Sequence, residues 1–139
     1  MKAKSFLSAY SDELYSVLRI VAGFLFLWHG SQKLLHYPPS EAMFPHYVTY
    51  IGGSVELIGG FLIMIGLWSR WAAFIASGEM AYAYWTVHAL HSALPLVNRG
   101  ELAVIYCFLF LYIASKGSGI ISVDRLIEKS GKKRSILKI

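Results

Sequence analysis

Long apolar stretches nearly free of charge alternate along this chain with short polar breaks, and each stretch is close to the length a helix needs to cross a bilayer. At 1.5 Å of rise per residue, roughly 20 residues span the ~30 Å of hydrocarbon. The chain offers four candidates, at residues 14–35, 50–68, 71–90 and 101–115. Only Ser69 and Arg70 separate the second from the third, which predicts a tight helical hairpin. A polar segment with Pro38, Pro39 and Pro45 separates the first two, and Pro95 with Asn98, Arg99 and Gly100 breaks the chain before the fourth. The pattern predicts an all-α integral membrane protein, a four-transmembrane-helix bundle. Its parts are an N-terminal segment at 1–13, a membrane domain at 14–115 with an outer loop at 36–49, and a basic tail at 116–139.

Composition sharpens this reading. Apolar residues make up 56% of the 139 and charged residues only 15%, too greasy a balance for a water-facing domain built round one core. The charges gather at helix ends and loops. Because Lys and Arg are retained on the cytoplasmic side during insertion, their distribution predicts orientation. Lys2, Lys4, Arg70, Lys116, Arg125, Lys129, Lys132, Lys133, Arg134 and Lys138 fall on one side, against Lys33 and Arg99 on the other. Both termini are therefore expected to be cytoplasmic. The net charge of +5 is concentrated in the tail directly after the last span, where anionic lipid headgroups are the simpler partner and nucleic acid is not expected. The first apolar run leads into Gln32, Lys33 and His36 and not into a small-residue cleavage site, so no cleavable signal is expected. The one cysteine, Cys107, has no partner for an intramolecular disulfide.

Ionisable residues inside membrane helices are costly and should face other helices with a partner. Arg19, Lys33, Glu56, Glu79 and Glu101 are such residues. Counting depth from the predicted inner face groups Arg19, Glu79 and Arg70 as inner structural ion pairs. The same count places His29, Lys33, Glu56 and Glu101 in an outer polar cluster. On a helical wheel Arg19, Gly23, Phe26, Gly30 and Lys33 share a face of the first span. Glu56 falls on a small-residue face with Gly52 and Gly59, flanked by Gly53 and Gly60. Glu79 lines up with Ala72, Ala76, Ala83 and Thr86. The histidines His29, His36, His46, His88 and His91 all lie toward the outer side. No pair has metal-site spacing, so no metal site is expected and haem is disfavoured. His88 falls opposite Glu79 on a straight helix, so the two are not expected to point inward together.

The ordered motifs resemble those of the DoxX family of small four-helix bacterial membrane proteins. The first span carries Arg19, Gly23 and the Gly30-Ser31-Gln32-Lys33 step. The second carries Glu56-Leu57-Ile58-Gly59-Gly60 and leads into Gly66-Leu67-Trp68-Ser69-Arg70-Trp71-Ala72-Ala73. Asn98-Arg99-Gly100-Glu101-Leu102 and the closing Gly117-Ser118-Gly119-Ile120-Ile121-Ser122-Val123-Asp124 complete the resemblance, which runs from about residue 14 to residue 124.

The resemblance implies a four-helix inner-membrane bundle and quinone-linked redox work. On that expectation Glu56, His29, Lys33 and Glu101 are the candidate catalytic residues, and His29, Lys33, Glu56 and His88 the candidate binders of a quinone headgroup. Histidine and carboxylates would handle protons while Lys33 meets developing negative charge on oxygen. Electrons would come from a redox partner protein or a bound cofactor. Two other readings stand beside it: a non-catalytic scaffold or homo-oligomer using glycine-rich faces, and a small-solute or proton pathway with Glu79 and Arg19 as its inner gate.

Overall fold

A computed structural model of the protein describes residues 6–41 and 45–136, the side chains of 133–136 excepted. Lys2, Lys4 and Lys138, counted above toward orientation, lie outside the described residues, as do the side chains of Lys133 and Arg134. Among the described residues every regular element is helical. Helix α1 is Ser11–Leu35, with Asp12 and Glu13 complementing the positive end of its dipole. It stops at His36, whose left-handed backbone turns its N–H back to the Ser31 carbonyl. Helix α2 runs Val48–Ile65 and is wound unevenly, with π-helical stretches at Val48–Gly52 and Val55–Gly59 before a regular end at Gly60–Ile65. Helix α3, Ser69–Ala83, continues through a π-helical turn at Tyr84–His88. A single turn, α4 (Pro95–Asn98), leads into α5 (Glu101–Lys116), and α6 (Val123–Ile136) closes the chain.

These bounds shift the expected spans slightly. The second helix ends at Ile65 because Gly66 (φ 76°) takes the left-handed conformation that only glycine adopts without strain. There the Gly66 N–H reaches the Ile63 carbonyl and the Leu67 N–H the Leu62 carbonyl, a paired C-terminal cap. Leu67 and Trp68 thus belong to the turn. At its other end the helix begins inside the expected loop, since His46 and Tyr47 are already helical.

Two helical segments, Ser8–Leu35 and Val48–Ile65, are long and apolar enough to cross a membrane. Along the middle of the helices the outward-facing side chains are largely apolar: Leu18, Val21 and Phe24 on α1, Phe74 and Ile75 on α3, and Ile105 and Phe108 on α5 are exposed. Inward-facing positions hold Ser16, Arg19, Ser31, Glu56, Ser69 and Ser77. That inside-out polarity has a low free energy only when the surrounding solvent is hydrocarbon.

The helices associate as two tight pairs. In the first, α1 and α2 meet backbone to backbone at glycines spaced seven residues apart on each helix. A methyl group added to Gly23 would lie 2.5 Å from the Met64 nitrogen, and one on Gly60 would lie 2.6 Å from the Leu27 nitrogen. Glycine's missing side chain is what permits this approach. The glycines in contact are Gly53 and Gly60, against Gly30 and Gly23, whereas Gly59 has open space where a methyl would go. In the second pair, Ala72, Ala73 and Ala76 of α3 pack against the Ala103, Phe110 and Ile113 face of α5. The Ser77 hydroxyl donates to the Cys107 carbonyl across that seam at 2.8 Å. Aromatic contacts join the pairs: Phe26 of α1 lies 4.6 Å from Phe110 and 5.5 Å from Tyr106 between ring centroids.

One end of the bundle is tied by arginines that satisfy helix C-termini. Arg19, fully buried, donates to the Ile63 and Met64 carbonyls at the end of α2 and to the Ile121 carbonyl. Arg70 donates to the Ala114, Ser115 and Lys116 carbonyls at the end of α5. Carbonyls in the last helical turn have no partner within the helix, and a guanidinium supplies both donors and charge. Asp124 completes the closure. Its carboxylate accepts from the Trp68 N–H at 3.1 Å and the Ser118 hydroxyl at 2.5 Å, while its own N–H donates to the Gly66 carbonyl at 3.1 Å. The Gly-x-Gly-x-x-Ser-x-Asp segment is thereby folded over the α2–α3 turn.

Candidate functional site

The other end of the bundle is open. α1 and α2 run antiparallel and touch at Gly30 and Gly53, so Lys33 lies beside Gly53 and its long side chain reaches along the seam to Glu56, one turn away. Lys33 Nζ lies 2.5 Å from Glu56 Oε1, and the two side chains are 13% and 4% exposed. A pair so removed from water owes its stability to its geometry, since removing either partner strands a buried charge. Glu56 Oε2 is buried with no hydrogen-bond partner among the described residues.

A cavity flanks this pair on each side. One, of about 290 Å³, lies toward α1 and α5 and is lined by Phe26, His29, Gln32, Lys33, Glu56, His88, Arg99 and Tyr106 among others. The other, of about 250 Å³, lies between α2 and α3, bounded by Tyr47, Ile51, Gly52, Glu56, Glu79, Tyr82 and Thr86. Lys33, Val48, Glu56, Met80, Ala83 and Val87 border both, so the ion pair forms part of a shared wall. Tyr47, Ile51 and Tyr82 are exposed on the bundle's outer surface, so the second cavity opens sideways between two helices.

The placement of the expected site residues is mixed. His29 sits exposed at the rim of the first cavity, edge-on to Tyr106 at 6.3 Å between ring centroids. His88 borders that cavity as well, and its Nδ1 lies 3.1 Å from the Asn98 carbonyl. A carbonyl only accepts, so Nδ1 carries hydrogen, and in the neutral ring Nε2 is the acceptor. Asn98 is held in turn by its own bonds to the Ser92 carbonyl and the Gly100 N–H, each 2.7 Å. Glu101 is exposed at the start of α5 and borders neither cavity, so the structure removes it from the group. It serves the helix instead, as an acidic residue in the first turn.

Glu79 also departs from expectation. It makes no ion pair with Arg19 or Arg70, whose terminal guanidinium nitrogens donate to backbone carbonyls at the tied end. Ten residues of α3 separate Glu79 from Ser69, about 15 Å of rise, which brings it level with Glu56. Its Oε1 lies 2.9 Å from where a Gly52 methyl would stand, and its Oε2 is buried without a partner among the described residues. Glu79 and His88 border different cavities, one on each side of the Lys33–Glu56 pair, with the π-helical turn at Tyr84–His88 changing the winding between them.

Two members of the group were missed by reasoning from sequence. Tyr106 floors the first cavity and Arg99 stands at its mouth, held by a left-handed backbone (φ 58°) in the turn before α5. Arg99 is at least legible as the isolated cation in the Asn98-Arg99-Gly100 break; Tyr106 is one aromatic among many. No group of three or more His, Cys, Asp or Glu that could hold a metal occurs among the described residues.

An all-helical chain with apolar outer faces, membrane-length helices and a few charged side chains buried among them is a membrane-type protein. The chain belongs to the DoxX family, whose model matches residues 14–89. A Haemophilus influenzae protein is 37% identical over 125 residues, covering 85% of this chain and 93% of its own length. A second similar protein, from Bacillus subtilis and titled "Putative oxidoreductase CatD", is 24% identical over 86% of this chain and 91% of its own length. No solved structure matches the chain significantly.

Proposed function

We propose that this protein is the membrane subunit of a redox system, a four-span bundle in a bacterial inner membrane with both termini cytoplasmic, which holds a quinone headgroup in the cavity bordered by His29, Lys33, Glu56 and His88. Residues 14–115 form its membrane domain, 1–13 and 116–139 its cytoplasmic ends, and 36–49 its outer loop. The observation that carries the reading is the buried Lys33–Glu56 pair facing an apolar cavity, with an unpartnered carboxylate oxygen left in it. Such a wall suits a planar apolar body bearing oxygen functions. An ammonium has three donor hydrogens, so Lys33 can hold Glu56 and a ligand oxygen together. His88, fixed by Asn98, and His29 at the rim are placed to carry protons. When bound, the quinone supplies the electron-accepting chemistry, with electrons from a partner protein or a cofactor that it carries. The oxidoreductase title of the Bacillus subtilis relative supports the same direction.

The test is titration of a short-chain quinone into purified protein in lipid nanodiscs, read by quenching of tryptophan fluorescence. Lys33→Gln should weaken binding at least tenfold, equivalent to about 1.4 kcal/mol. Equal binding by the parent and Lys33→Gln, or none by either, would refute the assignment.

A scaffold reading keeps one observation of its own. Gly78 lies exposed on α3 with open space where a methyl would stand, a notch suited to a partner helix or a second copy. A discrete oligomer in mild detergent that Gly78→Leu dissociates, with no quinone binding, would favour it. The pathway reading loses its proposed inner gate, since Arg19 and Glu79 are not neighbours.

A further inference from the structure

At the tied end of the bundle, where α1, α2 and the start of α6 meet, lies a groove of about 430 Å³. Ile20, Met64, Ile65, Ile121 and Leu126 give it an apolar floor, and the last two are exposed on the outer surface. The charged residues that line it, Arg125 and Lys129, are both cations. Four positions apart on α6, they share one helix face. Neither side chain enters an ion pair or a hydrogen bond among the described residues. The acidic residues of the same helix, Asp124 and Glu128, border the neighbouring cavity beside Trp68 and Trp71 instead. Those two exposed tryptophans stand just past the end of α2 at Ile65, the level at which indole rings settle between hydrocarbon and headgroups. The groove thus joins an apolar part on α1 and α2 to a cationic edge on α6, at the boundary between lipid and water.

We propose that this groove binds one anionic phospholipid, with an acyl chain along Ile20 and Met64 and the phosphate held between Arg125 and Lys129. The inference is independent of the redox reading and requires only that the chain sits in a membrane. Charge decides the occupant. An apolar groove alone accepts any acyl chain, whereas two free cations at its edge are matched by a headgroup of net negative charge; a zwitterionic headgroup brings an ammonium to the same place. Arginine offers paired N–H donors to phosphate oxygens, and lysine adds a mobile point charge. The site is distinct from the general attraction of a basic tail to a charged surface, because it consists of two particular side chains and a shaped apolar floor. Lys132, further along α6, does not line it.

The experiment delipidates the full chain in mild detergent, adds phosphatidylglycerol or phosphatidylcholine with identical acyl chains, and counts retained lipids by native mass spectrometry. One phosphatidylglycerol should stay bound, about tenfold more tightly than phosphatidylcholine. Arg125→Gln with Lys129→Gln should erase that preference, whereas Lys132→Gln with Lys133→Gln, which removes the same charge from the tail, should keep it. Ile20→Trp leaves both cations in place and fills the apolar floor, so it should weaken retention of phosphatidylglycerol. Circular dichroism melts of each variant check that the bundle is intact. Equal retention of the two lipids by the parent, a preference that survives the loss of Arg125 and Lys129, or one lost as readily from the tail variant would overturn the proposal. Unchanged retention by Ile20→Trp, or displacement of the lipid by glycerol 3-phosphate at equal concentration, would overturn it as well, the latter marking a site for soluble phosphate.

Discussion

Replacing Gly30 by alanine tests the frame that sets Lys33 against Glu56. The added methyl would fall 2.6 Å from the Gly53 carbonyl oxygen and 2.7 Å from the Leu57 Cα, with the Leu57 nitrogen closer still. All three obstacles are backbone, so no side chain can swing aside. Ordinary contact begins near 3.4 Å, so clearing the Leu57 nitrogen, the nearest of the three, would require α1 and α2 to part by about 1.1 Å at this point. Overpacking of that kind costs about 1–3 kcal/mol. At about 4 °C per kcal/mol for a chain of this size, the melting temperature should fall by about 4–12 °C. Gly78→Ala is the control, because a methyl there meets nothing within 4 Å and alanine favours a helix over glycine by about 1 kcal/mol. Both variants would be melted in the same detergent, followed by circular dichroism. Gly30→Ala should also weaken quinone binding, since Lys33 lies one turn from the displaced residue. If Gly30→Ala melts with Gly78→Ala, the backbone contact is not what holds the pair, and the account of the site's geometry fails.

Three further outcomes follow from the same structure. Lys33→Met and Glu56→Leu should each destabilise by about 3–5 kcal/mol, and the double variant should recover much of that loss, because only the single changes strand a buried charge; denaturant titration in detergent would check this. Arg19→Met removes a buried donor from three carbonyls and should lower stability by more than 2 kcal/mol, whereas Arg70→Ala, whose side chain is exposed, should cost about 1 kcal/mol or less by the same titration. Asp124→Ala should release the segment folded over the α2–α3 turn, seen as faster proteolysis after Lys116 or Arg125, and an unchanged cleavage pattern would deny its role as a tie.

The helices were legible in the sequence because apolar runs of membrane length have few other uses. The first span's interior face was legible too, since Arg19, Gly23, Phe26 and Gly30 repeat at helical spacing and all are buried. What escaped was anything that depended on winding or on the chemistry of the partner. Reading straight helices put Glu79 and His88 on opposite sides, and they do border different cavities, but the five π-helical residues between them were not foreseen. Expecting opposite charges to pair sent Glu79 to Arg19, but both arginines answer to backbone carbonyls, which no count of side-chain charges reveals. Glu101 illustrates the converse: depth alone placed it in the cluster, and only the start of α5 explains why it turns away. Among the second helix's glycines, sequence centred the contact face on Gly52 and Gly59 with Gly53 and Gly60 flanking, and it is the flanking pair that meets α1.

The closure at Asp124 gives the molecule unequal stiffness along its length. Three chain segments are riveted together where Arg19, Arg70 and Asp124 meet carbonyls and amides, so angular errors introduced there are magnified at the far end, as at the tip of a lever. A substitution in the closing segment that silences the protein would then report helices splayed out of alignment, and would be weak grounds for placing chemistry at that end.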